Sequence, residues 1–228
     1  MNNEILSYLE MCQLEGVNLQ KGMNYRLGGD YSVILMSLRK GAPYQDQVSE
    51  DGQMIIYEGH DIPKTEGVVD SKNHDQSDIT RFGTLTENGK FHRAAQEYKK
   101  GLRSPEHVRV YEKIRNGIWS NNGVFELIDS WIENDGARNV FRFRLQLVQL
   151  ETERNKIHDE LPNTRVIPSH VKIAVWKRDK GQCVICGASE HLHFDHIIPF
   201  SKGGSSLVAD NIQLLCAQHN LAKRDRIE

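Results

Sequence analysis

The chain has 228 residues, of which 38% are hydrophobic and 26% charged, with a net charge of −2. That length accommodates two compact domains, and the ordinary composition excludes a disordered or fibrous chain. No apolar run approaches the ~20 residues of a membrane span, and Glu4, Glu10 and Glu15 interrupt any signal-peptide pattern, so a cytoplasmic location is expected.

From the amino terminus, Ile5, Leu6, Leu9 and Leu14 recur at helical spacing, which predicts an opening helix over residues 2–14. A Gly-rich turn at 23–30 leads into a β-like run from Tyr31 to Leu38, and Gln53 to Tyr57 reads as another strand. The polar, acidic stretch 60–80 reads as loop. Glu87 to Lys100 is helical in pattern, with Gly101 placed to end it. Strand-like runs return at 107–111, 124–132 and 140–148. In the last, Phe141, Phe143, Leu145 and Leu147 alternate with Arg142, Arg144 and Gln146, as in a strand with one buried face. An α+β chain is therefore expected. Residues 1–150 form a β-rich curved sheet or barrel with helices, 151–169 a charged linker containing Pro162 and Pro168, and 170–228 a second, smaller domain.

Charge and cysteine are unevenly spread. Residues 1–150 carry three more acidic than basic side chains, whereas 165–228 carry three more basic than acidic, a modest bias that suits a phosphate-facing surface. Of four cysteines, Cys12 is alone in the opening helix, where a buried, inert thiol is expected. Cys183 and Cys186 form a C-x-x-C pair, and Cys216 stands beside His219. In a reducing compartment such clustering reads as metal ligation rather than disulfides.

Residues 183–223 form one ordered constellation. It runs Cys183-Val-Ile-Cys186, Leu192-His-Phe-Asp195-His196-Ile-Ile-Pro199, Ser201-Lys-Gly-Gly204, and Asp210-Asn211-Ile-Gln-Leu-Leu-Cys216, closing on His219-Asn220 and Lys223. The pattern resembles the HNH endonuclease family. Hydrolysis of a phosphodiester needs an activated water, neutralised phosphate charge and help for the departing 3′ oxygen. The resemblance implies a ββα-metal fold in which Asp195 and Asn220 ligate a catalytic divalent cation and His196 is the general base. Asn211 would bond across the loop and orient the His-bearing strand. It also implies a strand distortion at the Asp195–His196 pair, so that both side chains serve one site. An imidazole with a pKa near ~6.5 suits proton abstraction at neutral pH, and oxygen ligands point to Mg2+ or Mn2+.

A structural Zn2+ is also implied, because Cys183, Cys186, Cys216 and His219 have the donor types and spacing of a closed tetrahedral site. The family more often has a fourth Cys where His219 stands, so His219 could serve zinc or the catalytic ion. Zinc is preferred, since Asn220 then occupies the last catalytic position. A zinc knuckle that binds nucleic acid without cutting is the alternative, but it gives no reason for an Asp-His pair. Lys172, Lys177, Arg178, Lys202, Lys223 and Arg224 are candidates for phosphate contacts, and Ile173 and Trp176 for packing of the preceding helix.

The N-terminal part has its own signature: Gly28-Gly-Asp-Tyr-Ser-Val-Ile-Leu35, Tyr44-Gln-Asp46-Gln-Val48, Asp51-Gly52, Tyr57-Glu-Gly-His-Asp61, Val108-Arg-Val-Tyr111, and Gly123 to Trp131. In this order, over about residues 16–150, these resemble the SRA (YDG) domain. The resemblance implies recognition of 5-methylcytosine or 5-hydroxymethylcytosine in double-stranded DNA by base flipping. Tyr44 and Tyr57 would supply stacking faces and Asp46 an acceptor for the cytosine N4 amino group. Asp46 is preferred over Gln47, and packing of the tyrosines within the sheet is the competing reading. Together the two resemblances imply a modification-dependent restriction endonuclease. One HNH site cuts one strand, so a double-strand break requires a homodimer or two successive nicks.

Overall fold

A computed structural model describes residues 4–19, 21–49, 52–63, 70–148, 167–224 and 226–227. The expected linker lies outside the described residues up to 166.

The opening departs from the predicted single helix. Ile5–Ser7 form strand β1 and helix α1 spans Tyr8–Glu15. The cause is local: the Ser7 hydroxyl accepts from Glu10 N, and the Glu10 carboxylate accepts from Ser7 N. This capping box, worth about 1 kcal/mol, fixes the helix start at Tyr8. Leu9 and Leu14 are exposed, and Met11 and Glu15 are the buried residues of α1. Gly16, with φ 66°, ends the helix in a left-handed conformation that a side chain would strain.

The remaining N-terminal elements are β2 (Met23–Asn24), β3 (Ser32–Met36), β4 (Gln47–Val48), β5 (Met54–Glu58), α2 (Glu87–Lys99), β6 (Glu106–Arg115), β7 (Ile118–Asn134) and β8 (Asn139–Leu147). They form one sheet in the order β2-β3-β6-β7-β8-β5-β4, with β1 paired to β7. Only the β3–β6 pair is parallel among these pairings. Register shifts in β6–β7 and in β7–β8 mark bulges, which curve the sheet.

Both faces of the sheet are covered. Ile34, Val108, Val110, Leu127, Phe143 and Leu145 pack with Phe91, Ala94 and Ala95 of α2. On the other face Val33 and Tyr111 pack with Met11 and Leu19. Glu15 pins α1 there, accepting from Tyr111 and Tyr31 hydroxyls at 2.6 and 2.8 Å and from Arg109 at 2.9 Å. In β8 the apolar residues are buried as the alternation predicts, but Arg142 opposite them is buried too. Ion pairs to Glu58 and Glu133 and a bond to the Gln45 carbonyl replace solvent around its guanidinium.

The C-terminal part comprises α3 (Ser169–Arg178), the hairpin β9 (Leu192–His196) with β10 (Ile212–Cys216), and α4 (Ala217–Lys223). Ile167, Val171, Val175, Leu192, Phe194, Ile212, Leu214 and Leu215 form its core, with Trp176 packed against it. Ile173, read as a packing residue, is instead 38% exposed on the outer face of α3. The same core takes in Ile5 of β1, and Ile118 of β7 packs against it.

Candidate functional site

Asp195 and His196 are the last two residues of β9. Pairing with Gln213 and Ile212 runs through both without a shift, so the expected distortion within the pair is not present. The strand breaks one residue later. Ile197 N donates to the Asn211 carbonyl, and Asn211 Oδ1 accepts from Ile198 N at 2.8 Å. Asn211 Nδ2 donates to the carbonyls of Ile198 and Ser205 at 3.2 and 2.9 Å, so this amide spans the loop after β9. The loop closes so tightly that a Cβ on Gly204 would lie 1.8 Å from the Ile198 carbonyl oxygen, which explains the glycine there.

By the pleat of the strand, Asp195 and His196 leave on opposite faces. His196 is buried and its Nε2 lies 2.8 Å from the Ser206 hydroxyl. Asp195 is half-buried; its Oδ2 accepts from Lys223 Nζ at 2.8 Å and from Gln213 Nε2 at 3.3 Å. Lys223 also donates to the His196 carbonyl. Asn220 lies three residues before Lys223 on α4, hence on the neighbouring part of the same helical face.

Cys183, Cys186, Cys216 and His219 bring their ligand atoms within 4.8 Å of one another. Cys186 and Cys216 sulfurs are 3.8 Å apart and His219 Nδ1 is 3.2 Å from Cys216 Sγ. Tetrahedral zinc with bonds of about 2.3 Å would hold sulfurs about 3.8 Å apart, so this donor set fits Zn2+. Burial acts to raise the Cys183 thiol, but main-chain N–H groups of Cys216, Cys186 and Ile185 outweigh it and bring the thiol down to about 6, which favours the thiolate a metal requires. His219 thus sits among the cysteines.

Two of the candidate phosphate-binding lysines are interior. Lys172 and Lys223 are 0% and 1% exposed, each consumed by polar partners inside the protein. Arg178 is tied to Asp179 and to the carbonyls of Ala209 and Ile212. Lys177, Lys202 and Arg224 are exposed.

In the N-terminal sheet, Tyr44 and Asp46 lie between β3 and β4, and Tyr57 lies on β5. Tyr57 is 1% exposed and belongs to the core; its hydroxyl is 3.2 Å from His60 Nε2. The His60 ring stacks on Tyr44, centroids 5.4 Å apart and 17° between planes, and lies 6.3 Å from the Tyr57 ring. Burial lowers the His60 imidazole to about 4, so it is neutral near pH 7. Lys72 Nζ is 4.2 Å from the Tyr44 centroid and pairs with Asp61 at 3.0 Å. Asp46 accepts from main-chain N–H of Glu58 and Ser37 at 3.1 and 3.3 Å, yet burial pushes its carboxyl up to about 6. Glu58 accepts from Gln45 N at 2.8 Å and pairs with Arg138 and Arg142, bracing the 44–46 loop from behind.

The HNH endonuclease family model matches residues 183–226. The C-terminal part is an HNH endonuclease domain. No curated protein sequence matches the chain. Among solved structures, the SRA domain of SUVH5 in complex with fully methylated CG DNA is similar at 20% identity, TM-score 0.44, over 65% of this chain and 89% of that one. The modification-dependent TagI restriction endonuclease is similar at 18% identity, TM-score 0.43, over 97% of this chain and 76% of that one. The Type IV phosphorothioation-dependent restriction endonuclease ScoMcrA is similar at 16% identity, TM-score 0.42, over 98% of this chain and 59% of that one. Among the described residues no helix is long and apolar enough to cross a membrane.

Several partners in the HNH domain escape a reading by motif. Ser206 has no helical or strand spacing to His196, and only the closed loop brings them together. Gln213 reaches Asp195 because the two are cross-strand partners, a relation that requires the register. In the N-terminal part, His60 belongs to the Tyr57–Asp61 motif, but its place beside the two tyrosines depends on the turn after β5.

Proposed function

We propose that the protein is a modified-cytosine-dependent DNA endonuclease, in which the N-terminal sheet reads the base and the HNH domain hydrolyses the backbone. The observation that carries the reading is that Lys223 ties the Asp195 carboxylate to the His196 carbonyl at one end of the hairpin, while the Cys3His cluster closes the other end, where Cys216 pairs with Leu192. In this reading Asp195 and Asn220 hold the catalytic cation. The fit rests on Asp195, whose contacts with Lys223 and Gln213 both fall on Oδ2, leaving Oδ1 turned to other use. A bound Mg2+ or Mn2+ would supply charge neutralisation at the phosphate. His196 takes the proton from water, with Ser206 fixing its ring, and Asn211 keeps the following loop in place. Zn2+ held by Cys183, Cys186, Cys216 and His219 is structural.

The reader half of the proposal rests on the aromatic cluster. A flipped 5-methylcytosine or 5-hydroxymethylcytosine stacks on Tyr44 where His60 now lies, and Asp46 accepts from its N4 amino group. Tyr57 forms the wall behind, reached once His60 moves aside. The domain limits proposed are 1–150 and 170–228, and a homodimer is one route to a double-strand break.

The test uses matched plasmids carrying cytosine, 5-methylcytosine or 5-hydroxymethylcytosine, incubated with protein and Mg2+ or Mn2+. Modified plasmids are expected to be cut and His196→Ala to bind them without cutting. Equal cutting of all three would favour an HNH nickase indifferent to modification. Binding without any cutting by the intact protein would leave a non-catalytic reader.

A further inference from the structure

A buried polar cluster joins the two halves of the chain and takes no part in the proposed chemistry. Lys172 on α3 is fully buried; its Nζ donates to Asn122 Oδ1 at 2.6 Å and lies 3.6 Å from Glu112 Oε2. Asn122 Nδ2 donates to the same carboxylate oxygen at 3.0 Å, closing a triangle. Glu112 is on β6 and Asn122 on β7, both strands of the N-terminal sheet, while α3 packs in the core of the C-terminal part. Burial lowers the Lys172 ammonium and Glu112 opposes that shift.

A second seam has a different origin. Strand β1 pairs with Ile118–Ser120 of β7, and the preceding residue, Glu4, bridges to His193 of β9. Ile5 is buried in the C-terminal core, with Ile118 packed against that core. A short strand therefore belongs to both halves at once. An ammonium removed from water is tolerated only when its partners are in place, so such a contact is all-or-none and resists sliding.

We infer that Lys172, Glu112 and Asn122, together with β1, lock the HNH domain onto the reading sheet as one docked unit, so that the span from recognised base to cut phosphodiester is set by this seam rather than by segment 151–166. Lys172 is on this account a positioning residue. The statement about cut distance rests on the proposed function; the statement about docking does not.

The first experiment tests docking alone. A protease site is inserted into segment 151–166 of the intact 228-residue chain and cleaved after purification. The two fragments are expected to co-elute in gel filtration. Lys172→Glu, which opposes Glu112 with a second carboxylate, is expected to weaken their association by about a hundredfold or more. Lys172→Met removes the charge at similar volume and serves if the first variant does not fold; it too should loosen the pair. Separation of clipped wild-type fragments overturns the proposal, as does unchanged association in a folded Lys172 variant.

The second experiment maps DNA ends. A Gly-Ser insertion in segment 151–166 is expected to leave cut positions unchanged, and the same insertion combined with Lys172→Met to spread them. A shift caused by the insertion alone overturns the proposal. Wild-type protein that cuts without regard to modification, its clipped fragments still co-eluting, would remove the functional reading and leave the docked unit standing.

Discussion

Lys223 Nζ lies 2.8 Å from Asp195 Oδ2 and also donates to the His196 carbonyl, so one buried ammonium binds the side chain of one residue and the backbone of the next. Both residues sit at the point where β9 ends, and neither strand pairing nor the loop alone fixes the Asp195 carboxylate. The lysine is an internal strut between α4 and β9.

Lys223→Met is accordingly expected to lower the cleavage rate by about 10–100-fold, the cost that follows if Asp195 holds the cation as proposed and loses the group that orients it. Binding to modified DNA should stay within about twofold, because a side chain 1% exposed cannot touch phosphate. Nicking rates and gel-shift affinities measured side by side check this. A fall in binding with an unchanged rate would return Lys223 to the DNA-contacting surface.

Ser206→Ala removes the hydroxyl 2.8 Å from His196 Nε2. The ring then loses a partner that selects its tautomer and orientation, and a rate loss of about 10–100-fold is expected. His196→Ala should cost more, on the order of 10²–10⁴-fold, if the imidazole transfers the proton itself. Equal losses in the two variants would show that Ser206 is not merely supporting the ring.

The ββα unit was legible because its metal-binding and turn residues are fixed in spacing: Cys183 to Cys186, Gly203-Gly204, and Cys216 to His219 all fall within single turns. The long strands of the sheet were legible from alternation in Phe141, Phe143, Leu145 and Leu147. Long-range polar partners were not. Lys172 and Lys223 carry no sign in the sequence that their charges are spent internally, since Glu112 lies 60 residues before the first and Asp195 lies on another element. The opening differs from a single helix because Ile5 and Leu6 fit a helical stripe and a strand equally well. Pairing with β7, which local periodicity does not encode, places Ile5 in the C-terminal core and Leu6 against Met11 and Tyr111.

Removing zinc should unfold the C-terminal unit before the N-terminal sheet. The Cys183–Gly187 turn has its own main-chain bonds, Gly187 N to the Cys183 carbonyl at 2.8 Å and Val184 N to the Leu214 carbonyl at 3.0 Å, but few apolar groups hold it. Val184 and Ile185 within it are exposed. Chelation or Cys216→Ser is therefore expected to abolish cleavage and to produce a separate low-temperature melting step. Metal analysis should find one zinc per chain in the wild type. A single unshifted transition after zinc loss would contradict a structural role.

Asp46 gives opposite pH signs for stability and for recognition. Burial raises its native pKa to about 6, against about 3.9 for a free Asp, despite the Glu58 and Ser37 N–H groups that favour the ion. The protonated native form is thus favoured: this contribution to stability is complete below about pH 4 and is lost as pH rises through about 6. In the proposed role the carboxylate accepts from the cytosine N4 amino group as the ion, so affinity for a modified duplex should increase between about pH 5 and pH 7. Competition binding in the His196→Ala background measures it without cleavage. Asp46→Asn should flatten the profile; an unchanged pH dependence in that variant would assign the titration elsewhere.

His60 offers the sharpest test of where the base sits. Its ring lies between Tyr44 and Tyr57, stacked on the first and bonded to the hydroxyl of the second. The Asn88 side-chain amide holds its backbone, Oδ1 accepting from His60 N and Nδ2 donating to His60 O, both at 2.8 Å, so the side chain is the part that can turn. Being neutral, with its pKa lowered to about 4 by burial, it leaves without moving a charge. The main loss is one hydrogen bond, about 1 kcal/mol, or roughly fivefold in affinity. His60→Ala is expected to bind a 5-methylcytosine duplex about fivefold more tightly than wild type, with the gain absent for unmodified DNA. His60→Trp fills the same space with a larger ring and should remove the preference altogether. Fluorescence anisotropy with matched duplexes reads both. If His60→Trp discriminates as well as wild type, the face of Tyr44 beneath this ring is not the seat of the flipped base.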